Sequence, residues 1–138
     1  MHVYHTTIKL HETDAAGVLF FANQLKIIHD AYESLFQSIG FSFAELINEK
    51  DFFLPIVHSE SDYKSPLLAG DQVEIRTTVA NVGKTSFTLT YTMLDASQTI
   101  VGTAQTVHVS VEKATRKKVP LPADLRAKLN GLCTQVPC

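Results

Sequence analysis

The chain has 138 residues, of which 45% are hydrophobic and 19% are charged, the balance of one globular domain with its own core. The formal net charge of −2 argues against the strong positive field of a nucleic-acid-binding protein. No apolar run approaches the roughly 20 residues of a membrane-spanning helix, and the N-terminus lacks the pattern of a secretory signal. We therefore predict a single cytoplasmic domain over residues 1–138.

The cysteines and histidines form no pattern typical of a disulfide framework or a metal site. Cys133 and Cys138 lie close together at the C-terminal end, and we interpret them as free thiols in a reducing compartment. The six histidines show neither the His-x-x-x-His spacing of a helical metal site nor a Cys–His set. The sequence therefore predicts neither a metal nor another cofactor.

The first third of the chain predicts a strand and a long helix. Alternating residues over 2–10 indicate a strand, and the polar residues 11–17 indicate a turn. From Phe20 to Ile39 apolar residues recur every three or four positions, which predicts a helix with one buried face. Gly40 is suited to end that helix.

The rest of the chain predicts a short helix followed by strands. Ser42 and Glu45 have the spacing of a capping box, so a second helix should begin there. Segments rich in β-branched and aromatic residues are predicted strands, and they cover residues 54–65, 72–82, 85–94 and 99–112. Residues 122–138 are predicted to form a helical tail.

The order of these elements predicts an α+β fold. One strand precedes the long helix, and four strands follow the short helix. A single helix cannot cover about five strands by crossovers alone, so we expect an antiparallel sheet curled around the long helix. The other face of the sheet, or its edge, would be left for a partner subunit.

The segment from Glu12 to Asn23 contains the strongest candidate for chemistry. Asp14 stands just before a predicted helix start, where free N–H groups and the helix dipole attract negative charge. Such N–H groups can stabilise the oxyanion of a carbonyl substrate while the carboxylate attacks it or activates water. The structural alternative is that Asp14 caps a turn and Gly17 relieves its backbone. The residues themselves leave both interpretations open.

Other polar residues give weaker signals. His58, in the polar middle of a predicted strand, is either a structural histidine or part of a site. Lys84, Arg116 and Lys117 are either solvated charges or ligands for the phosphates of a carrier. The sequence has no Gly-x-Ser-x-Gly elbow, phosphate-binding glycine loop or dinucleotide fingerprint. These absences argue against serine hydrolases, nucleotidases and dehydrogenases.

Residues 12–26, ETDAAGVLFFANQLK, resemble the active-site segment of hot-dog-fold acyl-CoA thioesterases of the 4-hydroxybenzoyl-CoA thioesterase type. Residues 63–71, 109–112 and 116–122 are similar to later segments of that family, so the resemblance covers nearly the whole chain. It implies a hot-dog fold, in which the sheet wraps a long central helix. Within the family the chain is most similar to cyanobacterial 1,4-dihydroxy-2-naphthoyl-CoA hydrolases, which implies hydrolysis of that thioester in phylloquinone biosynthesis.

The resemblance also implies roles for single residues. Asp14 would be the catalytic carboxylate, acting as nucleophile or as general base. The backbone N–H of Phe21, near Gly17, would donate to the thioester oxygen. Two positions depart from the family, which often has tyrosine or histidine at Phe21 and tyrosine at Gln24. Glu12 replaces a frequent aspartate, and we expect it to orient the turn.

The resemblance further implies a substrate pocket and a partner subunit. Candidates for the acyl pocket are Phe20, Leu54, His58 and Tyr63. Lys84, Arg116 and Lys117 are candidates for the CoA phosphates, contributed across a subunit boundary. We expect a dimer formed by strand-edge pairing and doubled to a tetramer.

Two alternative functions remain at this stage. One is a thioesterase for another acyl-CoA or for an acyl carrier protein, and the other is a module that binds acyl-CoA without hydrolysing it. A dehydratase is disfavoured because that chemistry pairs a histidine with a carboxylate, and the segment from Glu12 to Asn23 contains no histidine.

Overall fold

A computed structural model describes residues 1–133. The strands are β1 His2–Thr7, β2 Phe52–Phe53, β3 Ile56–Tyr63, β4 Gln72–Val82, β5 Ser86–Leu94, β6 Ile100–Val109 and β7 Val111–Glu112. The α-helices are α1 Phe21–Ser38, α2 Phe43–Asn48 and α3 Ala123–Leu132, and one 3₁₀ turn covers Leu10–Glu12. None of the helices in the described part of the chain is long and apolar enough to span a membrane.

Five strands form one antiparallel sheet in the order β1-β4-β5-β6-β3. The two-stranded β2–β7 pair forms a separate small sheet. Successive side chains of β4 and β5 alternate between buried and partly exposed, as expected for a sheet covered on one face. The predicted α+β architecture, with a five-stranded sheet around a long helix, is confirmed.

Helix α1 provides the apolar face that closes this sheet. Its buried apolar residues recur at helical spacing, and they are Ile27, Ile28, Ala31, Tyr32, Leu35 and Phe36. They join inward-facing residues of β4 and β5, such as Ile75 and Leu89, in one hydrophobic core. Helix α3 adds Leu125 and Leu129, both fully buried, on the side of β4. The core therefore forms between α1 and the concave face of the sheet.

Several predicted boundaries are wrong. The first strand ends at Thr7 rather than residue 10 because the chain turns into the 3₁₀ helix at Leu10–Glu12. Predicted strand 99–112 is divided at Ser110, because the following residues, Val111–Glu112, pair with β2 rather than with β5. Predicted strand 54–65 begins only at Ile56.

The C-terminal end is partly as predicted. Helix α3 lies within the predicted helical tail, although residues 134–138 are outside the described part of the chain. Cys133 belongs to a disulfide, so the prediction of a free thiol at this position is wrong. Cys138 lies outside the described residues.

Strand β3 is an open edge of the main sheet. It pairs with β6 on one side and with no strand of the described chain on the other. Seven of its eight residues are exposed, among them Val57 at 59% and Tyr63 at 53%. Such an edge offers unpaired backbone groups to another chain.

Candidate active site

A tight loop precedes α1 and carries Asp14. The Asp14 N–H donates to Val18 O at 2.8 Å, and the Gly17 N–H donates to Asp14 O at 3.0 Å. Gly17 has φ +76°, a left-handed conformation that side chains other than glycine seldom adopt. The glycine therefore has the structural function that the sequence analysis considered for it.

The Asp14 carboxylate is exposed and uses one oxygen to brace the loop. Asp14 Oδ1 accepts hydrogen bonds from the N–H groups of Ala16 at 2.9 Å and Val18 at 3.2 Å. Within residues 1–133 the other oxygen, Oδ2, forms no hydrogen bond or ion pair. Capping and chemistry are therefore compatible, because the two functions use different oxygens of one carboxylate.

The start of α1 presents free backbone donors beside this loop. Phe20 is the N-cap and contributes no side-chain cap. The N–H groups of Phe21 and Ala22 form no hydrogen bond within the described chain. Unpaired N–H groups at a helix N-terminus stabilise negative charge. This end of the helix can therefore hold a developing oxyanion.

Backbone bonds lock the loop to the helix start. The N–H of Phe20 donates to Glu12 O at 3.0 Å, and the side-chain amide of Asn23 donates to the same oxygen at 2.9 Å. The Glu12 side chain is buried, and its Oε1 accepts from Lys9 N–H at 2.8 Å while Oε2 lies 4.0 Å from Lys26 Nζ. Asp14 and Phe21 therefore belong to one rigid unit.

Strand β3 packs against the first turn of α1 and forms one wall of a cleft. Tyr63 Oη donates to Phe21 O at 2.9 Å. Buried Gln24 donates from Nε2 to Ser61 Oγ at 2.7 Å and to Asp62 O at 3.0 Å. The resulting cleft has a volume of about 370 Å³, and its lining includes Val18, Phe21, Gln24, Tyr63 and Lys64.

The predicted acyl-pocket residues are divided between two places. The rings of Phe20 and Phe21 are in contact, with centroids 4.8 Å apart and planes tilted by 50°. Tyr63 lines the cleft beside them. Leu54 instead lines a separate groove of about 330 Å³ near the other end of β3. His58 is exposed on β3, with Nε2 3.7 Å from Glu60 Oε1. Within one chain, Leu54 and His58 are not brought to Asp14.

The predicted phosphate ligands lie far from Asp14 in the same chain. Leu68, shortly before β4, forms a β-bridge with Val18 in the Asp14 loop, so the start of β4 lies near Asp14. Lys84 follows the opposite end of β4. The 11 residues of β4 span roughly 35 Å at about 3.3 Å per residue. Arg116 lies 5.7 Å above the Phe53 ring in the β2–β7 region, and Lys117 is its neighbour.

A buried polar cluster was missed by the sequence analysis. Tyr91 Oη and Thr106 Oγ1 are 2.8 Å apart, and Thr106 Oγ1 lies 2.8 Å from His108 Nε2. The ring of His108 stacks on Phe87 and lies 4.4 Å, centroid to centroid, from Tyr32. The available signal was the alternation along β6, which places positions 104, 106 and 108 on the buried face.

Burial sets the charge of this cluster. Desolvation, with a smaller electrostatic contribution from His29, lowers the pKa of His108 to about 3. Desolvation also raises the pKa of Tyr91 to about 12, and it raises the pKa of Tyr32 further still. The cluster is therefore uncharged around neutral pH.

Comparison with known proteins agrees with this geometry. The model of the thioesterase-like superfamily matches residues 8–129. A 1,4-dihydroxy-2-naphthoyl-CoA hydrolase of Rippkaea orientalis is 35% identical over 91% of this chain and 92% of its own length. The enzyme of the same name from Synechococcus elongatus is 37% identical over 89% of this chain and 90% of its own.

Solved structures are similar along almost the whole chain. The 1,4-dihydroxy-2-naphthoyl-CoA thioesterase of Synechocystis superposes with a TM-score of 0.90 at 34% identity, covering 94% of this chain and 96% of its own. A gentisyl-coenzyme A thioesterase superposes with a TM-score of 0.84 at 30% identity, covering 93% of this chain and 99% of its own.

Proposed function

The chain belongs to the thioesterase-like superfamily, and we propose that it hydrolyses 1,4-dihydroxy-2-naphthoyl-CoA to 1,4-dihydroxy-2-naphthoate and CoA. The observation that carries this proposal is the free Asp14 oxygen held in one unit with the free N–H groups at the start of α1. The substrate follows from relatives about 35% identical over nine-tenths of both chains, which bear that name.

The geometry supports a simple mechanism. The thioester carbonyl lies over the start of α1, where the N–H of Phe21 donates to its oxygen as negative charge develops. Asp14 Oδ2 either attacks the carbonyl carbon or removes a proton from the water that attacks it. The C–S bond breaks and CoA leaves as the thiolate. In the first route water then hydrolyses the acyl-aspartyl anhydride and restores the carboxylate.

The open edge of β3 supports a homodimer in which two copies of this strand pair antiparallel. The middle of β3 lies between Ser59 and Glu60, so a twofold axis there sets Ile56 opposite Tyr63 of the partner subunit. The groove that contains Leu54 would then face the cleft of the partner subunit. The proposed dimer thereby unites the two halves of the predicted acyl pocket, and a second dimer would complete a tetramer.

Arg116 and Lys117 lie near the same end of β3, next to Phe53. In the proposed dimer they approach the catalytic cleft of the partner subunit, as phosphate ligands for CoA should. Lys84 is a third candidate on that side. Similarity to the cyanobacterial hydrolases supports a function in phylloquinone biosynthesis. A cytoplasmic location stays a proposal, and the disulfide at Cys133 does not support the reducing compartment that free thiols would indicate.

A thiol-release assay tests this function. We expect purified protein to release thiol from 1,4-dihydroxy-2-naphthoyl-CoA with a higher kcat/KM than from benzoyl-CoA or aliphatic acyl-CoAs. A faster reaction with another thioester would assign a different substrate. Binding of acyl-CoA without any thiol release would instead favour a binding module. Analytical ultracentrifugation should return at least twice the mass of the chain, and a monomer would refute the strand-paired dimer.

A further inference from the structure

A small cavity lies beneath the middle of α1, apart from the cleft at its start. It has a volume of about 90 Å³ and opens between α1 and β3. Ile56 and Ser59 at its mouth are exposed, whereas the residues at its floor are at least 96% buried. Those floor residues are Tyr32, Tyr91, Thr106 and His108.

Two residues of the cavity floor each carry a buried polar atom that has no partner within the described chain. Within residues 1–133, Tyr32 Oη and His108 Nδ1 are buried and form no hydrogen bond. Buried polar atoms are nearly always paired, and an unpaired one calls for an explanation. Two such atoms on residues that line one cavity point to a ligand that supplies a polar group there.

The floor is rigid and suited to an uncharged partner. His108 is parallel to Phe87 at 4.7 Å, and its Nε2 is held by Thr106. Because this ring is neutral, Nδ1 donates or accepts a hydrogen bond according to its tautomer, and Tyr32 Oη does either. A hydroxyl group both donates and accepts, so it can pair with Tyr32 Oη and with either tautomer of His108 Nδ1. A carboxylate or phosphate is disfavoured at the floor, because it would lose its hydration among neutral side chains. The lining also includes His29, whose Nδ1 lies 3.8 Å from Glu33 Oε1.

The mouth of the cavity lies where the proposed dimer places an acyl group. Ile56 lies opposite Tyr63 of the partner subunit in the strand pairing described above. Within each chain, Tyr63 is hydrogen-bonded to the helix start that carries Phe21. A thioester held at the catalytic loop of one subunit therefore directs its aromatic ring toward the cavity of the other.

We propose that Tyr32 and His108 recognise a phenolic hydroxyl of the aromatic acyl group whose thioester is bound at Asp14 and Phe21 of the partner subunit. This inference rests on the proposed function and deepens it. It makes Tyr32 and His108 specificity-determining residues, which select a hydroxylated ring over a bare one. A site that hydrogen-bonds a substrate hydroxyl rejects an analogue without it, because the buried polar atoms are then left unpaired.

The test compares 1,4-dihydroxy-2-naphthoyl-CoA with 2-naphthoyl-CoA, which lacks the hydroxyls. We expect Tyr32→Phe to lower kcat/KM for the hydroxylated thioester about tenfold or more, and to change it less than twofold for the bare one. Thr77→Val is the matched control, since Thr77 Oγ1 is also buried and unpaired but does not line the cavity. This control should leave the ratio of the two kcat/KM values unchanged.

An equal loss for both thioesters would show that Tyr32 only supports packing, and would overturn the proposal. No loss for either thioester would also overturn it and assign the cavity to water. If the wild-type protein hydrolyses neither thioester, the proposed function fails. Calorimetric binding of 1,4-dihydroxy-2-naphthoate and 2-naphthoate then decides this inference separately. Preference for the hydroxylated acid that is lost in Tyr32→Phe would uphold it, and equal binding of the two acids would refute it.

Discussion

Replacement of Asp14 by asparagine separates catalysis from turn capping, because the chain contains a second aspartate with the same capping geometry. Asp95 Oδ1 accepts from the N–H groups two and four residues ahead, at 2.9 and 3.0 Å. Asp14 Oδ1 does the same at 2.9 and 3.2 Å. Asp95 lies between β5 and β6 and has no helix start beside it. Asp95→Asn is therefore the matched control for Asp14→Asn.

The expected effects differ in kind. Asparagine keeps an oxygen that accepts both turn bonds and loses only their charge assistance, so each variant should lose about 1 kcal/mol of unfolding free energy or less. Asparagine is neither a competent nucleophile nor a base. Asp14→Asn should therefore lower kcat about 10³-fold, equivalent to about 4 kcal/mol of transition-state stabilisation. Asp95→Asn should change kcat less than twofold.

Urea denaturation measures the two stabilities, and thiol release from 1,4-dihydroxy-2-naphthoyl-CoA measures the two rates. Asp14 is not the catalytic carboxylate if Asp14→Asn retains wild-type kcat, or if both variants lose activity in proportion to their stability. Either result would leave Asp14 as a turn cap and nothing more.

Gly102→Ala should lower both Tm and kcat, because its Cβ would lie 2.8 Å from Gln24 Nε2 and would displace the amide that ties α1 to β3. In the control Gly131→Ala, the added Cβ meets nothing within 4 Å, so the Tm should be unchanged or higher. The same Tm for both variants would contradict this expectation. The free energy of unfolding should fall as pH drops from 6.5 toward 3, because the buried His108 resists a proton that the unfolded chain accepts. At pH 4.5 the effect is about 2.7 kcal/mol, from two pH units at about 1.36 kcal/mol each. Urea titrations of His108→Phe should show a shallower acid slope than wild type, and an identical slope would refute the assignment.

Local sequence was sufficient for the long helix, the alternating strands and the core of the candidate site. Asp14, Gly17 and Phe21 lie within eight consecutive residues, so the turn and the helix start position them with little help from the rest of the chain. The same is true of α1, whose apolar spacing alone specifies its buried face. Both predictions depend on contacts between near neighbours in the sequence, which is why they could be made without the tertiary structure.

Tertiary structure alone decided what lies around that loop. The sheet register brings Tyr63 and Gln24 to one cleft, and it separates Lys84 from Asp14 by roughly the length of β4. It also places His108 against Tyr32, 76 positions earlier in the chain. Each of these contacts joins segments whose pairing depends on strand order and register across the whole core. No local pattern encodes that order, since the same alternation of residues fits several registers.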